Sequence, residues 1–243
     1  MGCVIELRDV DFSARGRLLA RNLRFRFEEG KTVSIVGPSG GGKSTVLKLA
    51  AGLCIPDSGE VFFRGTALGR MGAQENLAFR KESAFVFQDA ALWANQTLFE
   101  TLELPLRVHF PSMTPAERKR RVEDVAAGVG CRRDLGVRPS ELSRGEQKLV
   151  AFARAVVCGP SLLFLDEWTE SLDENSARRL TGMVRRMRES GVSVIFVSHD
   201  ARIVRALSDA VLLVRGGEIA FRLSGEQVAA EGELERLMEL GAA

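Results

Sequence analysis

Three short, predominantly apolar runs in the chain each end directly at a group of glycine or polar residues. They are Thr32–Val36, Ser161–Leu165 and Val192–Val197. Runs of this kind are typical of the central strands of a parallel sheet, because such strands are buried on both faces. In open α/β sheets, ligands bind at the carboxyl ends of the strands. The chain is therefore predicted to have an α/β fold, with its functional site where the three runs end.

Alternation of apolar and polar residues predicts a second, different sheet. It occurs in Val4–Phe12, Asn22–Phe27 and Gly59–Arg64. A period of two residues is typical of half-buried antiparallel strands. Because these segments flank the first apolar run, we predict an antiparallel β subdomain beside the core sheet.

The middle of the chain is helical in character. Between about residues 98 and 133, Thr114 with Glu117 predicts a capped helix start, while Pro105 and Pro111 are predicted to interrupt the helices. We interpret residues 89–155 as a helical insertion within one domain that spans residues 1–243. Residues 221–243 are interpreted as a C-terminal tail, in which residues 232–240 are predicted to form an amphipathic helix that packs either on its own domain or on a partner.

Composition narrows the class of protein. The 243 residues are 45% hydrophobic and carry a formal net charge of +2, so a substantial core is expected, whereas binding of nucleic acid through bulk positive charge is not. No apolar run approaches the roughly 20 residues that cross a bilayer. The four cysteines form no C-x-x-C pair, which suits a reducing compartment. We expect a cytoplasmic protein.

The first apolar run leads into a loop that matches the pattern G-x-x-x-x-G-K-[ST]. Glycines let the backbone turn around phosphate oxygens, so that its N–H groups and the following helix N-terminus face the anion. Lys43 is then expected to reach the β- and γ-phosphates of a nucleotide, and the hydroxyl of Ser44 to bind Mg²⁺. The predicted nucleotide-binding residues are Gly37, Pro38, Ser39, Gly40, Gly41, Gly42, Lys43, Ser44 and Thr45.

The second apolar run ends at two adjacent carboxylates, Asp166 and Glu167. At the end of a strand in a nucleotide-binding sheet, Asp166 can hold Mg²⁺ directly or through water. Glu167 can polarise an attacking water. Two acids at this position could instead cap a helix, but the glycine loop upstream favours the catalytic interpretation.

Further motifs indicate the family. Leu142–Gln147 resembles the signature sequence LSGGQ of ABC ATPases. Gln88 resembles the Q-loop glutamine of that family, His199 its switch histidine and Ser171–Asp173 its D-loop. The motifs stand in the family's order, and the resemblance covers residues 4–220. The chain is identified as a member of the ABC transporter ATP-binding subunits, which are P-loop NTPases with a mixed, mostly parallel core sheet, an antiparallel β subdomain and a helical insertion.

The resemblance implies a reaction, its cofactors and a set of site residues. ABC ATPases hydrolyse ATP, with Mg²⁺, between two subunits arranged head to tail. The implied catalytic residues are Lys43, Gln88, Glu167 and His199, and the implied Mg²⁺ ligands are Ser44, Gln88 and Asp166. The implied contacts to the ATP of a second copy are Ser143, Gly145 and Glu146. Glu167 is expected to act as general base, His199 to steady the γ-phosphate, and Gln88 to link Mg²⁺ and water to the membrane partner.

Departures from the family pattern affect the expected site. The chain contains no tyrosine, and Ala14 stands where the family usually has an aromatic residue that stacks on adenine. Phe12 or the aliphatic part of Arg15 is expected to replace that contact, unless base selectivity is loose. Arg144 occupies a glycine position of the signature, and Trp168 occupies the proline position after the glutamate.

The resemblance also implies partners. These are integral membrane permease subunits and a second copy of the chain, on the cytoplasmic face of the inner membrane, with no nucleic acid. The segment Phe87–Arg107 is similar to that of ATPases of Mla/Mce-type lipid transporters, which implies phospholipid transport and a lipid-binding Mce-type subunit. The alternatives are a small-solute importer or exporter and a cell-division-type ABC complex that transports nothing. Leu92, Trp93 and Phe99 are expected either to contact the membrane partner or to belong to the core.

Overall fold

The computed structural model describes residues 2–229 and 232–240. Its strands are β1 (Cys3–Ala14), β2 (Arg17–Glu28), β3 (Thr32–Val36), β4 (Ser58–Phe63), β5 (Thr66–Ala67), β6 (Ser83–Val86), β7 (Leu162–Asp166), β8 (Ser193–Val197), β9 (Ala210–Arg215) and β10 (Glu218–Ser224). Its helices are α1 (Lys43–Ala50), α2 (Ala73–Glu82), α3 (Leu98–His109), α4 (Pro115–Val129), α5 (Arg144–Val156), α6 (Glu174–Glu189), α7 (Ala201–Leu207), α8 (Gly225–Ala229) and α9 (Glu233–Leu240). Among these described residues, no helix combines the length and the apolar composition needed to cross a membrane.

The three apolar runs become β3, β7 and β8, which lie side by side in a six-stranded sheet. Its strand order is β10-β9-β3-β8-β7-β6. Neighbouring strands are parallel, except that β10 is antiparallel to β9. Every residue of β3, β7 and β8 is buried, as expected for a sheet covered on both faces. The predicted mixed, mostly parallel core sheet is confirmed.

The alternating segments form a separate antiparallel sheet with the strand order β2-β1-β4-β5. Ile5 in β1 lies opposite Phe27 in β2 and Phe63 in β4, and all three side chains are buried. Val46 and Leu47 of α1 belong to the same apolar cluster. This cluster also contains one face of the core sheet, so the antiparallel sheet packs against the helix that follows the glycine loop. The predicted antiparallel β subdomain is confirmed.

Helices α3, α4 and α5 lie in the chain between β6 and β7 and pack on one another within one apolar cluster. The prediction that Pro105 interrupts a helix is wrong, because α3 continues through it to His109. A proline inside a helix costs about 3 kcal/mol. Leu102 and Leu106 flank it and are fully buried, and burial of two leucines, at about 1.5–3 kcal/mol each, offsets that cost. Pro111 does follow the end of α3, as predicted.

The C-terminal helix α9 packs on its own domain. Leu234 and Leu237 are buried in the cluster that contains α3 to α5. Arg205 of α7 forms an ion pair with Glu235 of α9. The predicted amphipathic helix was expected to pack either on its own domain or on a partner, and the structure favours its own domain. Residues 230–231 and 241–243 of the predicted tail lie outside the described residues.

Candidate functional site

The carboxyl ends of β3, β7 and β8 border a cleft with a volume of 960 Å³. The predicted site residues that line it are Ser39, Gly40, Lys43, Ser44, Gln88, Glu167 and His199. The cleft is also lined by residues that were not predicted as site residues, namely Thr169, Glu170, Ser198, Asp200, Ala201 and Arg202. These follow or flank the motif residues directly in the chain, so their position beside the motifs was the available signal.

Two glycines of the loop occupy conformations and spaces that exclude a side chain. Gly37 has a φ of 145°, and a Cβ atom on it would lie 2.0 Å from the carbonyl oxygen of Val214. Gly42 has a φ of 102°, and its Cβ would lie 2.8 Å from the carbonyl oxygen of Leu19. Gly42 is also the N-cap residue of α1. The close approach of β2 and β9 therefore requires glycine, and the loop directs the N-terminus of α1 towards the cleft, which suits phosphate.

Lys43 places a cation at the glycine loop. Its ammonium donates hydrogen bonds to the carbonyl oxygens of Gly37 and Pro38, each at 2.9 Å. Burial lowers the pKa of Lys43, while the nearby carboxylates of Glu167 and Asp166 oppose that change. A bound phosphate would compensate the buried positive charge in the same way.

Ser44 and Asp166 bring two side-chain oxygens together beside the loop. The hydroxyl of Ser44 donates to Oδ1 of Asp166 at 2.8 Å. Burial raises the pKa of Asp166, and the hydrogen bond from Ser44 acts in the opposite direction. A hydroxyl and a buried carboxylate that already meet are the hard oxygen donors that Mg²⁺ prefers. The residues present therefore fit a Mg²⁺ ion held next to a nucleotide.

Glu167 and His199 face each other across the ends of β7 and β8. Oε1 of Glu167 lies 3.1 Å from Nε2 of His199. The main chain of Glu167 is left-handed, with a φ of 45°, and its N–H donates to the carbonyl oxygen of Val197 at 3.2 Å. Burial raises the pKa of Glu167, while the attraction of His199 and Lys43 lowers it. A carboxylate with a raised pKa has the proton affinity that a general base needs.

Gln88 reaches the cleft from the segment after β6. Its Nε2 donates to Oε2 of Glu170 at 3.0 Å. Glu170 stands in the turn that follows Glu167, so Gln88 is connected to the segment that carries the candidate base. The position of Glu170 beside Glu167 could be read from the sequence, but its contact with Gln88 could not, because the two residues lie 82 positions apart.

The signature residues are not among those that line this cleft. Ser143 is the N-cap of α5, and it forms a capping box with Glu146. The carboxylate of Glu146 also pairs with Arg133, and these hydrogen bonds lower the pKa of Glu146 to about 2. Ser143 is exposed. The N-terminus of α5 is thus exposed, and helix N-termini favour anions. It could contact an anion that is bound by another molecule instead of in the cleft of the same chain.

The residues proposed to contact adenine also do not line the cleft. Phe12 is partly buried and packs against the apolar cluster of the antiparallel sheet. Arg15 is exposed at the turn between β1 and β2, with a φ of 52°. Thr45, the last residue of the predicted loop, is half-buried in the first turn of α1.

A family profile described as "ABC transporter" matches residues 20–170. The match covers more than half of the chain, and it includes the glycine loop, Gln88, the signature residues and the Asp166–Glu167 pair. The chain belongs to the ABC transporter family. It is an ATP-binding subunit of that family, and its reaction is ATP hydrolysis.

Relatives of this ABC ATPase have names that refer to different substrates. The chain is 31% identical over 238 residues to the intermembrane phospholipid transport system ATP-binding protein MlaF of Haemophilus influenzae, with 97% of this chain and 86% of that protein covered. It is 32% identical over 193 residues to the methionine import ATP-binding protein MetN of Corynebacterium diphtheriae, with 79% and 56% covered.

A solved structure of another ABC cassette supports both the fold and the reaction. It is a dimeric, post-hydrolysis structure of the ATP-binding cassette MJ0796 bound to ADP and Pi. The TM-score is 0.85 at 28% identity, with 91% of this chain and 98% of that chain covered. ADP and phosphate are the products of ATP hydrolysis, so this ABC ATPase shares its fold with an ATP-hydrolysing cassette.

Proposed function

We propose that this ABC ATPase energises the transport of phospholipid by integral membrane permease subunits. The observation that carries the proposal is the match to MlaF, which extends over 97% of this chain. The match to MetN has almost the same identity but extends over 79% of the chain. The difference lies in coverage, and it favours phospholipid over methionine or another small solute.

For the reaction, we propose that Glu167 accepts a proton from the water that attacks the γ-phosphate. Its main chain is held by β8, and its carboxylate lies beside His199. Lys43 binds the β- and γ-phosphates together with the N–H groups of residues 37–45, and His199 donates to the γ-phosphate. Ser44, Asp166 and Gln88 would hold Mg²⁺, which neutralises phosphate charge. Each of these groups already borders the cleft or pairs with one that does.

We propose that a second copy of the chain completes the site. The support is the exposed N-terminus of α5 outside the own cleft and the dimeric state of the related cassette. Ser143 and Gly145 would contact the γ-phosphate bound by the partner copy. The carboxylate of Glu146 is already paired with Arg133, so its part in the trans contact would be to cap α5 and hold Ser143 in place.

The permease is proposed to dock beside the segment 87–107, at the boundary between the core sheet and the helices. A groove of 480 Å³ there is lined by Phe85, Phe87, Trp93 and Arg154, among other residues. The side chain of Trp93 is 47% exposed and lies against the guanidinium of Arg154. Leu92 and Phe99, by contrast, pack against the core. Of the three apolar candidates, Trp93 is therefore the one proposed to contact the membrane partner.

This arrangement would hold the ATPase on the cytoplasmic face of the inner membrane, with a lipid-binding Mce-type subunit as a further partner. We propose that residues 1–243 act as one ABC ATPase domain. Residues 89–155 would be its helical subdomain, inserted into the core, and residues 221–243 its tail. The support is that α3 to α5 share one apolar cluster with β7 and β8.

The substrate is tested by purifying the full chain together with its native membrane partners. Bound small molecules are identified by mass spectrometry, and ATP turnover is measured with added phospholipid and with added methionine. Copurified phospholipid and faster turnover with phospholipid are expected. If methionine is bound and stimulates ATP turnover, methionine is the substrate and the phospholipid proposal is wrong. A complex that binds neither and contains a cell-wall regulator would favour the non-transporting alternative.

The proposed chemistry is tested in the same preparation with Glu167→Gln. This change keeps the shape of the side chain but removes its basicity, so ATP binding is expected to persist while turnover falls at least about a hundredfold. Glu189→Gln, an exposed position at the end of α6, is the matched control and should hydrolyse ATP at the unaltered rate. Normal hydrolysis by the Glu167 variant would remove Glu167 from its proposed role.

A further inference from the structure

Lys148 is a buried lysine whose position none of the motif assignments explains. It lies in α5, is 5% exposed, and is followed by buried residues Leu149 and Val150. Lysine is seldom buried without a partner, because the ammonium loses its hydration. Consistent with this, burial lowers the pKa of Lys148. A specific interaction is therefore expected to compensate the buried charge.

The main-chain carbonyl of Glu167 accepts the hydrogen bond of this ammonium, and nearby carboxylates, Glu170 foremost, add attraction to its charge. Nζ of Lys148 donates to that oxygen at 2.8 Å. The same oxygen also accepts the N–H of Glu170 at 3.2 Å, so it closes the tight turn that follows β7. A charged donor makes a stronger hydrogen bond than a neutral one. Lys148 is thus the strongest donor to the turn that carries the candidate base.

This contact completes the support of an unusual main-chain conformation. Glu167 is left-handed, with a φ of 45°, which is unfavourable for a residue other than glycine and persists only when its surroundings enforce it. On one side, the N–H of Glu167 is held by Val197 of β8. On the other side, the carbonyl is held by Lys148. The two bonds set the direction in which the carboxylate leaves the chain, towards His199 at 3.1 Å.

Lys148 also links this turn to the signature helix. Helix α5 begins directly after Ser143, and Lys148 follows that serine by about one and a half helical turns. Close to the N-terminus of α5, a Cβ atom on Gly145 would lie 3.1 Å from the carbonyl oxygen of Ser171. The helix and the segment 167–171 therefore meet at two places, and a displacement of α5 would move the turn with it.

We propose that Lys148 is a positioning residue for ATP hydrolysis, which holds the main chain of Glu167 and transmits the position of the signature helix to the carboxylate. The proposal rests on the proposed role of Glu167 as general base. When a second copy engages the exposed end of α5, the same helix orients the base in its own cleft. In each copy, the position of the Glu167 carboxylate would then depend, through Lys148, on whether the ATP bound by the partner copy contacts the signature.

The first test compares Lys148→Met, Lys148→Arg and Lys119→Met in the full chain. Methionine keeps the apolar stem and removes the ammonium, so kcat is expected to fall about tenfold or more, because small misplacements of a catalytic group are costly. The KM for ATP should stay within about twofold, since Lys148 is not among the residues that line the cleft. Lys148→Arg retains a charged donor and should restore most of kcat. Lys119 is exposed on α4, and its substitution should change neither constant.

A second test separates positioning from a general structural effect. Single-turnover rates are measured for Glu167→Gln with and without Lys148→Met. A residue that acts through Glu167 has no further effect once the carboxylate is absent, so the double variant should be as slow as Glu167→Gln alone. The proposal would be overturned if Lys148→Met lowered the single-turnover rate by the same factor in the wild type and in Glu167→Gln. It would also be overturned if Lys148→Met lowered kcat and raised KM by the same factor. Wild-type kcat in Lys148→Met would overturn it as well.

The two proposals fail in distinguishable ways. Full turnover by Glu167→Gln would overturn the general-base assignment and the inference that rests on it. Loss of turnover in Glu167→Gln together with unchanged turnover in Lys148→Met would overturn the inference alone. Melting temperatures are recorded for every variant. If Lys148→Met does not fold, Lys148→Gln, which removes the charge and shortens the reach but leaves a polar group, is measured in the same way with the same expected loss.

Discussion

Trp168 provides a stability prediction that separates packing from hydrogen bonding. Its side chain is fully buried, and its indole ring packs edge-on against Phe196 with 5.2 Å between the ring centroids. Among the residues that the structure describes, the indole nitrogen has no hydrogen-bond partner. The ring therefore stabilises the fold by its apolar contacts, whereas the buried N–H group destabilises it.

The two effects predict different results for two substitutions. Trp168→Ala removes the whole ring and should lower the free energy of unfolding by about 3–5 kcal/mol. For a chain of this size, that corresponds to a fall in Tm of roughly 6–20 °C. Trp168→Phe loses about 1–2 kcal/mol of apolar burial. It also removes an unpaired buried N–H group, which costs about 1–3 kcal/mol, so its free energy of unfolding should lie between about 1 kcal/mol below and about 2 kcal/mol above that of the wild type.

The assay is urea unfolding followed by circular dichroism at 25 °C, which does not depend on the fluorescence of the residue that is changed. Trp93→Phe serves as the control, because Trp93 is about half exposed and its substitution should have little effect. If Trp168→Phe is as destabilised as Trp168→Ala, the indole N–H has a partner that contributes to stability, and the reasoning is refuted.

Three further predictions follow from particular residues. Gly37→Ala should destabilise the chain by clearly more than the ~1 kcal/mol expected for Gly16→Ala. A Cβ atom on Gly37 would lie 2.0 Å from the carbonyl oxygen of Val214, whereas one on Gly16 would meet nothing within 4 Å. Similar midpoints of urea unfolding for the two variants would contradict this. Glu146 has a pKa of about 2, against 4.5 ordinarily, so its ion pair stabilises the fold fully above pH 4.5 and progressively less as the pH falls towards 2. The stability gap between wild type and Glu146→Gln should therefore be constant above pH 4.5 and shrink below it, and a gap that widens on acidification would contradict the assignment. Leu237→Ala should cost about 2–5 kcal/mol in thermal unfolding, because this leucine is 4% exposed, and an unchanged Tm would mean that α9 detaches in solution.

Much of the fold was predictable because its signals are local. Each central strand is a run of apolar residues that ends at a polar group, and the carboxyl ends of parallel strands meet at one edge. The sequence alone therefore predicts that Lys43, Asp166 and His199 lie together. The antiparallel sheet was predictable for the same reason, since alternation is a property of neighbouring residues.

The remaining features depend on contacts between distant parts of the chain. Pro105 does not end α3 as predicted, because the burial of Leu102 and Leu106 offsets its local effect on the helix. The bond between Gln88 and Glu170 joins side chains that no motif relates. The roles of Ser143 and of the adenine contact depend on molecules beyond one chain, and they stay predictions.

The bond from Lys148 to Glu167 has a consequence for how such proteins are compared. Its acceptor is a main-chain oxygen, which is present whatever side chain stands at that position. Substitutions at the two positions therefore need not occur together, and residue covariation in an alignment would not reveal the contact. Links between half-sites that are made through the main chain would leave no covariation between residues, and they become visible only in a three-dimensional structure.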